Sequence, residues 1–444
     1  MPVPLSGEGL PPMKVAVAAA VFALAAPGAA AGAGLSLASR GLDTAATRVP
    51  RFQLVGLHWR GSGAVFFRTR SLTDRWSAWR SAEPEDALPD RNTAESRRMA
   101  TWRLGSPFWT GASNMIQYRT TGRVRRVRGY FVRSTGLSAP LSALHPQMTE
   151  TPTIITRAEW GANERIRRAP PVYADNVHVA FVHHTAGSNS YTASQSASIV
   201  RAIEIYHVEA DGWNDIGYNF LIDKYGQIFE GRYGGVTRAV IGAHAMGFNV
   251  GSVGVSMLGN YDTAQVTPAA KAALVSLVAW RLDLAHVDPL SKVVRISTGN
   301  PRYPAGTAVT LNAISGHRDV YPTSCPGANL YADLPAIRKA VAGTGLPKLY
   351  GPKVTGGLGG PVRFTARLSS EATWTVTVKD QAGTVLASGS GTGTAVDWTW
   401  DATTAATDQR YSWAIVAPAM RSATGTLGRP VLRLASFFRP WFKR

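Results

Sequence analysis

Val177-His178-Val179-Ala180-Phe181-Val182-His183-His184-Thr185 is an apolar run that closes on two adjacent histidines. Its length and β-branched content are those of a buried strand. Successive strand residues point to opposite faces, so only one of His183 and His184 can readily face a common site. A second strand pattern follows at Gly217-Tyr218-Asn219-Phe220-Leu221-Ile222. A third segment, Gly316-His317-Arg318-Asp319-Val320-Tyr321-Pro322-Thr323-Ser324-Cys325-Pro326-Gly327, sets His317 and Cys325 on one loop that Pro322 and Pro326 stiffen. From Ile154 to about Val341 such strands alternate with helical patterns, one of them at Pro268–Leu284, which predicts an α/β domain.

Two histidines and one thiolate make three corners of a tetrahedral zinc site, with the fourth left for water or substrate. Structural zinc is usually closed by four protein ligands, so this donor set reads as catalytic. Cys325 is the only cysteine in the 444 residues, which rules out an intramolecular disulfide. The other reading of Cys325 is a buried structural cysteine near unrelated histidines.

Either side of this domain the chain changes character. Residues 45–135 alternate apolar and polar residues in short runs between Gly, Asp and Pro, which predicts a basic β-rich domain with a sandwich signature. Its arginines interleave with Trp59, Trp76, Trp79, Trp102 and Trp109. That mixture suits either a polyanion or glycan site, or core tryptophans beneath a solvated surface. Residues 136–152 read as a linker, as do 343–360, which are dense in Gly, Pro and Lys. Residues 361–428 return to strand periodicity at Trp374–Val378, Val396–Trp400 and Tyr411–Val416, which predicts a smaller β-sandwich. The tail, 429–444, is basic and aromatic, suited to an anionic interface or to a last strand.

The length suggests about three domains. The apolar fraction of 45% gives each of them material for a core and excludes a wholly disordered chain. A net charge of +19 makes an anionic partner plausible, whether cell-wall polymer, lipid head group or nucleic acid. The excess sits in the flanks: +10 over residues 40–150 and +7 over 346–444, against +2 over 151–345. Lys14, the apolar run Val15–Ala26 and the small residues Ala29–Ala33 read as an export signal over 1–33. No later stretch reaches about 18 unbroken apolar residues, so no stable membrane span is expected. The expected location is outside the cytoplasm, in the cell envelope or beyond it.

The three chemical segments resemble those of the N-acetylmuramoyl-L-alanine amidase and peptidoglycan recognition protein family, the T7 lysozyme-like zinc amidases. The likeness spans about Ile154–Val341. It runs in order through Ile155–Ala162, Tyr206-His207, Gly212–Phe220, Gly226–Arg232, Gly242–Ala245, Asn249 and Ser252–Val255. The resemblance implies zinc as cofactor, held by His183, His317 and Cys325, with His184 a structural neighbour. It implies a catalytic Tyr218, with Thr323 as the second catalytic candidate. Thr323 stands where T7-type members carry lysine and where recognition-protein amidases carry threonine. It also implies ligand contacts for Thr185, Arg232, His244 and Asn249, though Arg232 is equally readable as a surface ion-pair member, while His207 is either a satisfied core histidine or a neighbour of the groove.

The reaction so implied is zinc-dependent hydrolysis of the amide between N-acetylmuramic acid and L-alanine in peptidoglycan. The alternative is a peptidoglycan recognition protein that binds without cleaving; Cys325 favours catalysis. A nucleic-acid-binding role is disfavoured by the export signal and the zinc motif. Tyr233-Gly234 stands where relatives often carry Gly-Trp, so the third stem-peptide residue, diaminopimelate or lysine, is left open. Residues Ala285–Leu311 read as a rim loop or a surface hairpin. The segment 361–428 resembles the Ig-like domain of flagellar hook-capping proteins, through Trp398-Thr399-Trp400-Asp401 and Tyr411-Ser412-Trp413.

Overall fold

The structure, a computed structural model, describes residues 35–98, 101–136 and 151–428. The expected export signal at 1–33, most of the 136–152 linker and the 429–444 tail lie outside the described residues.

The central domain is built on a mixed six-stranded sheet. Its spatial order is Ile314–Gly316, Val179–His184, Ser252–Met257, Phe220–Ile222, Ile228–Glu230, Ile154–Ile155. The first four strands are parallel to one another. Ile228–Glu230 runs antiparallel to Phe220–Ile222 and parallel to Ile154–Ile155. Parallel strands are covered on both faces, which is why 177–182 is apolar almost throughout.

The two faces divide the strand residues as the period of two requires. Ala180 and Val182 pack with Leu274 and Leu277 of helix Pro268–Leu284 and with Leu330 and Leu334 of helix Ala328–Ala342. Val179 and Phe181 pack on the other side, with Phe248 and Val320. His183 therefore shares the face of Phe181, and His184 that of Val182. Helix Pro268–Leu284 starts as its sequence dictates: Thr267 Oγ1 accepts from Ala270 N at 3.2 Å, and Pro268 opens the first turn. Helix Ser196–Ile205 is buried along its whole length and continues into a wide turn with i→i+5 bonding, Tyr206–Ala210.

The N-terminal domain is one antiparallel six-stranded sheet, in the order Leu35–Gly41, Arg126–Ser134, Thr47–Arg60, Phe108–Thr121, Ala64–Ser71, Arg80–Ser81. It begins before the expected boundary at residue 45. Leu35–Gly41 pairs along its length with Arg126–Ser134, a partner too distant in sequence to be foreseen. The strands join in one continuous hydrogen-bonded sheet.

This sheet is fused to the central domain. Leu54, Trp109 and Val132 share a buried cluster with Ile199, Ile203, Tyr206 and Trp213. Tyr206 donates to Gly105 O at 2.6 Å, and Arg201 Nε donates to Ser134 Oγ at 3.1 Å. Gly56 is where the two units come closest: a Cβ there would lie 2.0 Å from the Tyr206 hydroxyl, so no other residue fits.

The C-terminal strands Leu349–Gly356, Pro361–Lys379, Val385–Asp401, Tyr411–Val416 and Ala423–Leu427 form a third, five-stranded antiparallel sheet. The expected 343–360 linker thus contains a strand. Leu349 and Tyr350 are buried there, an alternation that the surrounding Gly, Pro and Lys obscure in the sequence. Arg421 pairs with Asp283 at 2.9 Å, and Lys348 Nζ donates to Ala279 O at 3.2 Å, docking this sheet on helix Pro268–Leu284. Within Ala285–Leu311 the chain forms a hairpin, Lys292–Ile296 against Ala308–Asn312.

Candidate active site

The ends of two adjacent parallel strands bring the candidate ligands together. His183 is the penultimate residue of strand Val179–His184, and His317 directly follows Ile314–Gly316. The stiffened loop returns Cys325 to them. One donor atom from each of the three residues lies within 4.8 Å of the others. Cys325 Sγ is 3.7 Å from His183 Nδ1 and accepts the backbone N–H of His184 at 3.4 Å.

The surroundings fit a metal ion. His183 Nε2 is 3.2 Å from His244 Nδ1. A ring donating from Nε2 presents a free lone pair at Nδ1, which is how neighbouring groups orient a ligating histidine. Among the described residues, neither buried ring nitrogen of His317 has a hydrogen-bond partner, an expensive arrangement for a polar side chain. Burial, with the Asp86 carboxylate beside it, pushes the Cys325 thiol well above its ordinary range. A cation between the three donors would reverse that electrostatic penalty and take up the free nitrogen lone pair. Two imidazoles and a thiol are a zinc donor set.

Beside the donors is a cavity of about 530 Å³, lined by His184, Thr185, His207, Tyr218 and Thr323, and by Glu85 and Asp86 of the N-terminal domain. The Tyr218 ring centroid is 5.5 Å from that of His183. Burial, then the charges of Glu85 and Cys325, push its phenol well above the ordinary value, so it remains a hydrogen-bond donor at neutral pH. His207 is buried against Trp213, with ring centroids 4.4 Å apart, and burial lowers its pKa to about 3. His184 Nδ1 accepts from Tyr261 N at 3.1 Å, and Thr185 Oγ1 accepts from Gly259 N at 3.0 Å.

Three residues expected to meet a ligand, and the catalytic candidate Thr323, are already engaged. His244 is fully buried behind His183 and supports it from there. Arg232 donates from Nη2 to Glu95 Oε1 at 2.6 Å and from Nη1 to Glu95 Oε2 at 3.2 Å. Asn249 is fully buried; its Nδ2 donates to Asp90 Oδ1 at 2.8 Å and to Leu88 O at 3.1 Å. Thr323 gives its only hydroxyl proton to Asp86 and accepts from Cys325 N at 3.0 Å.

Sequence reasoning missed these N-terminal acids. The available signal was compositional: of the eight acids in residues 40–150, five fall between Glu83 and Glu95, inside an otherwise arginine-rich stretch. Glu85 also forms a second buried group with His207 and Asp211, their donor atoms within 4.8 Å of one another. His207 Nδ1 accepts from Gly217 N at 3.1 Å, so the neutral ring carries its proton on Nε2. That leaves no nitrogen lone pair for a metal ion, and Asp211 instead bonds across the domain boundary to His58 Nε2 at 3.0 Å.

An N-acetylmuramoyl-L-alanine amidase family matches residues 173–328, and an Rv3811 N-terminal galactose-binding domain-like family matches residues 13–152. The chain is 34% identical over 182 residues to peptidoglycan-recognition protein SC2 of Drosophila melanogaster, covering 41% of this chain and 84% of that protein. It is 32% identical over 185 residues to peptidoglycan recognition protein 1 of Bos taurus, covering 40% and 80%. Among solved structures, wild-type Drosophila PGRP-LB aligns with a TM-score of 0.32 at 27% identity, over 41% of this chain and 92% of that one.

Proposed function

The chain belongs to the N-acetylmuramoyl-L-alanine amidase and peptidoglycan recognition protein family, and from this premise we propose that it is a zinc-dependent amidase of peptidoglycan. The bond cleaved is the amide joining the lactyl group of N-acetylmuramic acid to L-alanine. The observation that carries this reading is the His183, His317 and Cys325 cluster, with neither His317 nitrogen hydrogen-bonded among the described residues, beside a cavity that Tyr218 lines.

His183, His317 and Cys325 would hold the zinc ion. When bound, zinc supplies a Lewis acid for the carbonyl and a nucleophilic water at neutral pH. His244 keeps the His183 ring turned toward the site. Tyr218 donates its hydroxyl to the amide oxygen as negative charge builds there. The bond to nitrogen then breaks, and the amine of L-alanine leaves with a proton, releasing the stem peptide.

The test is incubation of the protein with purified peptidoglycan, followed by mass spectrometry of the soluble fraction. Free stem peptide is expected, lost in a zinc chelator and regained on adding zinc. Sedimentation with peptidoglycan without release of peptide would instead establish a binding-only protein.

The N-terminal domain supports a second contact, with an anionic envelope polymer. Arg60, Arg123, Arg125 and Arg126 line a cleft of about 480 Å³. Arg60 and Arg126 face each other directly across paired strands, an arrangement that is destabilising for like charges. Residues 96–149 contain nine arginines and no Asp or Glu. Guanidinium groups match phosphate oxygens in pairs, which favours a phosphate-bearing polymer. Retention on phosphodiester-linked wall polymer is expected to weaken with added salt. An Arg60→Glu/Arg126→Glu variant should bind at least about tenfold less, with a shallower salt dependence. Equal retention of variant and wild type would remove the cleft from the account.

Export to the envelope completes the proposal; no helix among the described residues is long and apolar enough to cross a membrane. Residues 361–428 would then be an accessory wall-contacting module of Ig-like type.

A further inference from the structure

Arg232, Asn249 and Thr323 each hold a carboxylate from one short stretch of the N-terminal domain. Glu95 takes both outer nitrogens of Arg232, at 2.6 and 3.2 Å. Asp90 Oδ1 accepts from Asn249 Nδ2 at 2.8 Å and from Gly247 N at 2.6 Å. Asp86 accepts from Thr323, and its other oxygen lies 3.8 Å from His317 Nδ1. Residues 85–90, between the isolated bridge at Pro84 and the turn before helix Ala94–Arg97, belong to no strand. They lie along the central domain as an extended peptide would, with acidic side chains directed at its donors. Ala87 and Leu88 fix the register by packing into the cluster shared with Trp213 and Met246.

A donor that already bonds a buried carboxylate is not available to a second one. Two of the acids, Asp90 and Glu95, are themselves buried, and burial raises the Asp90 carboxyl despite its bonds to Asn249 and Gly247. The contacts therefore exclude water as well as ligand.

We infer that residues 85–95 are an intramolecular occupant of the ligand groove, standing where the anionic peptide of the substrate binds and displaced by it. The inference rests on the amidase reading above. A tethered segment competes at an effective concentration of the order of millimolar. The apparent affinity of the substrate is lowered by the fraction of molecules in which the segment is out. Arg232 keeps three further partners when Glu95 is neutralised, the carbonyls of Ile216, Asp215 and Ile241, so the groove itself can survive the change.

The experiment compares full-length wild type, Glu95→Gln and Asp90→Asn/Glu95→Gln on a soluble disaccharide-tetrapeptide, with melting temperatures measured alongside. The expected result is a KM at least about tenfold lower in the double variant, with kcat little changed, as release of a competitor requires. An unchanged or higher KM in folded variants overturns the inference and makes the segment a fixed wall of the site. Should the variants fail to fold, hydrogen exchange on the wild type decides. Backbone amides of 85–95 should lose protection when the muropeptide is in excess, and unchanged or greater protection refutes displacement. If wild type neither cleaves nor binds the muropeptide, the amidase reading falls. If it cleaves and the variants match it, only the occupant falls.

Discussion

A Cys325→Ala protein is expected to fold, to carry far less than one zinc per chain, and to release stem peptide at least about a thousandfold more slowly than wild type. Cys325 is the one donor of the three that contributes a negative charge when bound. Changes to groups that merely touch a ligand already cost about 10–100-fold in metal affinity, and loss of the charged ligand itself removes more. The fold should survive because the side chain lost is small. What it leaves behind is the backbone N–H of His184, which donates to Sγ at 3.4 Å. An interior donor left without a partner costs about 1–3 kcal/mol, a modest part of the stability of a chain with a continuous core across two domains. The decisive measurement pairs zinc stoichiometry by mass spectrometry with thermal unfolding in chelator. Zinc held by the folded state alone stabilises it by about 2.7 kcal/mol at a hundredfold excess over its dissociation constant. The chelator should therefore lower the melting temperature of wild type and leave the variant unmoved. Full zinc occupancy in Cys325→Ala would mean that the ion binds elsewhere.

The central site was legible in the sequence because its chemistry lies at the ends of strongly patterned strands. The apolar run before His183, and the period of two within it, set which histidine faces Phe181 and which faces Val182. The Pro-stiffened loop carried His317 and Cys325 together in a single segment. Helix Pro268–Leu284 was legible for a different reason: Thr267 and Pro268 state its start chemically. The misses have a common cause. Glu85, Asp86, Asp90 and Glu95 approach the site across more than a hundred residues of chain, and no local period announces such a contact. Read from their own neighbourhood, Asn249 is a ligand donor and Arg232 either a ligand donor or a surface ion-pair member, with no ion-pair partner indicated. Only tertiary packing reveals that Glu95 and Asp90 occupy them. The burial of His244 is hidden in the same manner, since small residues around it give no sign that Phe181 and His183 will close over its ring. The strands Leu35–Gly41 and Leu349–Gly356 are short edges whose pairing partners supply the order that their composition does not.

The occupied state of Thr323 bears on the size of the effect expected at Tyr218. A threonine hydroxyl has one proton, and here Asp86 receives it, while the oxygen accepts from Cys325 N. Thr323 in this arrangement cannot also donate to a developing oxyanion. His207 and His184 are held neutral by burial, with pKa values at about 3 and about 4, and each already uses Nδ1 as an acceptor. With Nδ1 accepting, each of these rings keeps an Nε2–H and is itself a neutral donor; Tyr218 is the cavity donor whose ring lies against His183, its phenol kept protonated by burial. Removing one such donor typically costs about 10²–10³ in kcat, or roughly 3–4 kcal/mol, when the site excludes water. Tyr218→Phe keeps the ring and its packing and removes only the hydroxyl. The expected outcome is a fall in kcat toward the larger end of that range, with KM and zinc content near those of wild type, because the lost hydrogen bond is made mainly in the transition state. A Thr323→Val variant provides the contrast: its loss should be smaller and should act through Asp86 and the Cys325 loop, visible as a changed KM. If Tyr218→Phe retains kcat within a few fold while Thr323→Val loses it, the threonine is the donor in the working enzyme, and the Asp86 contact must break before catalysis begins.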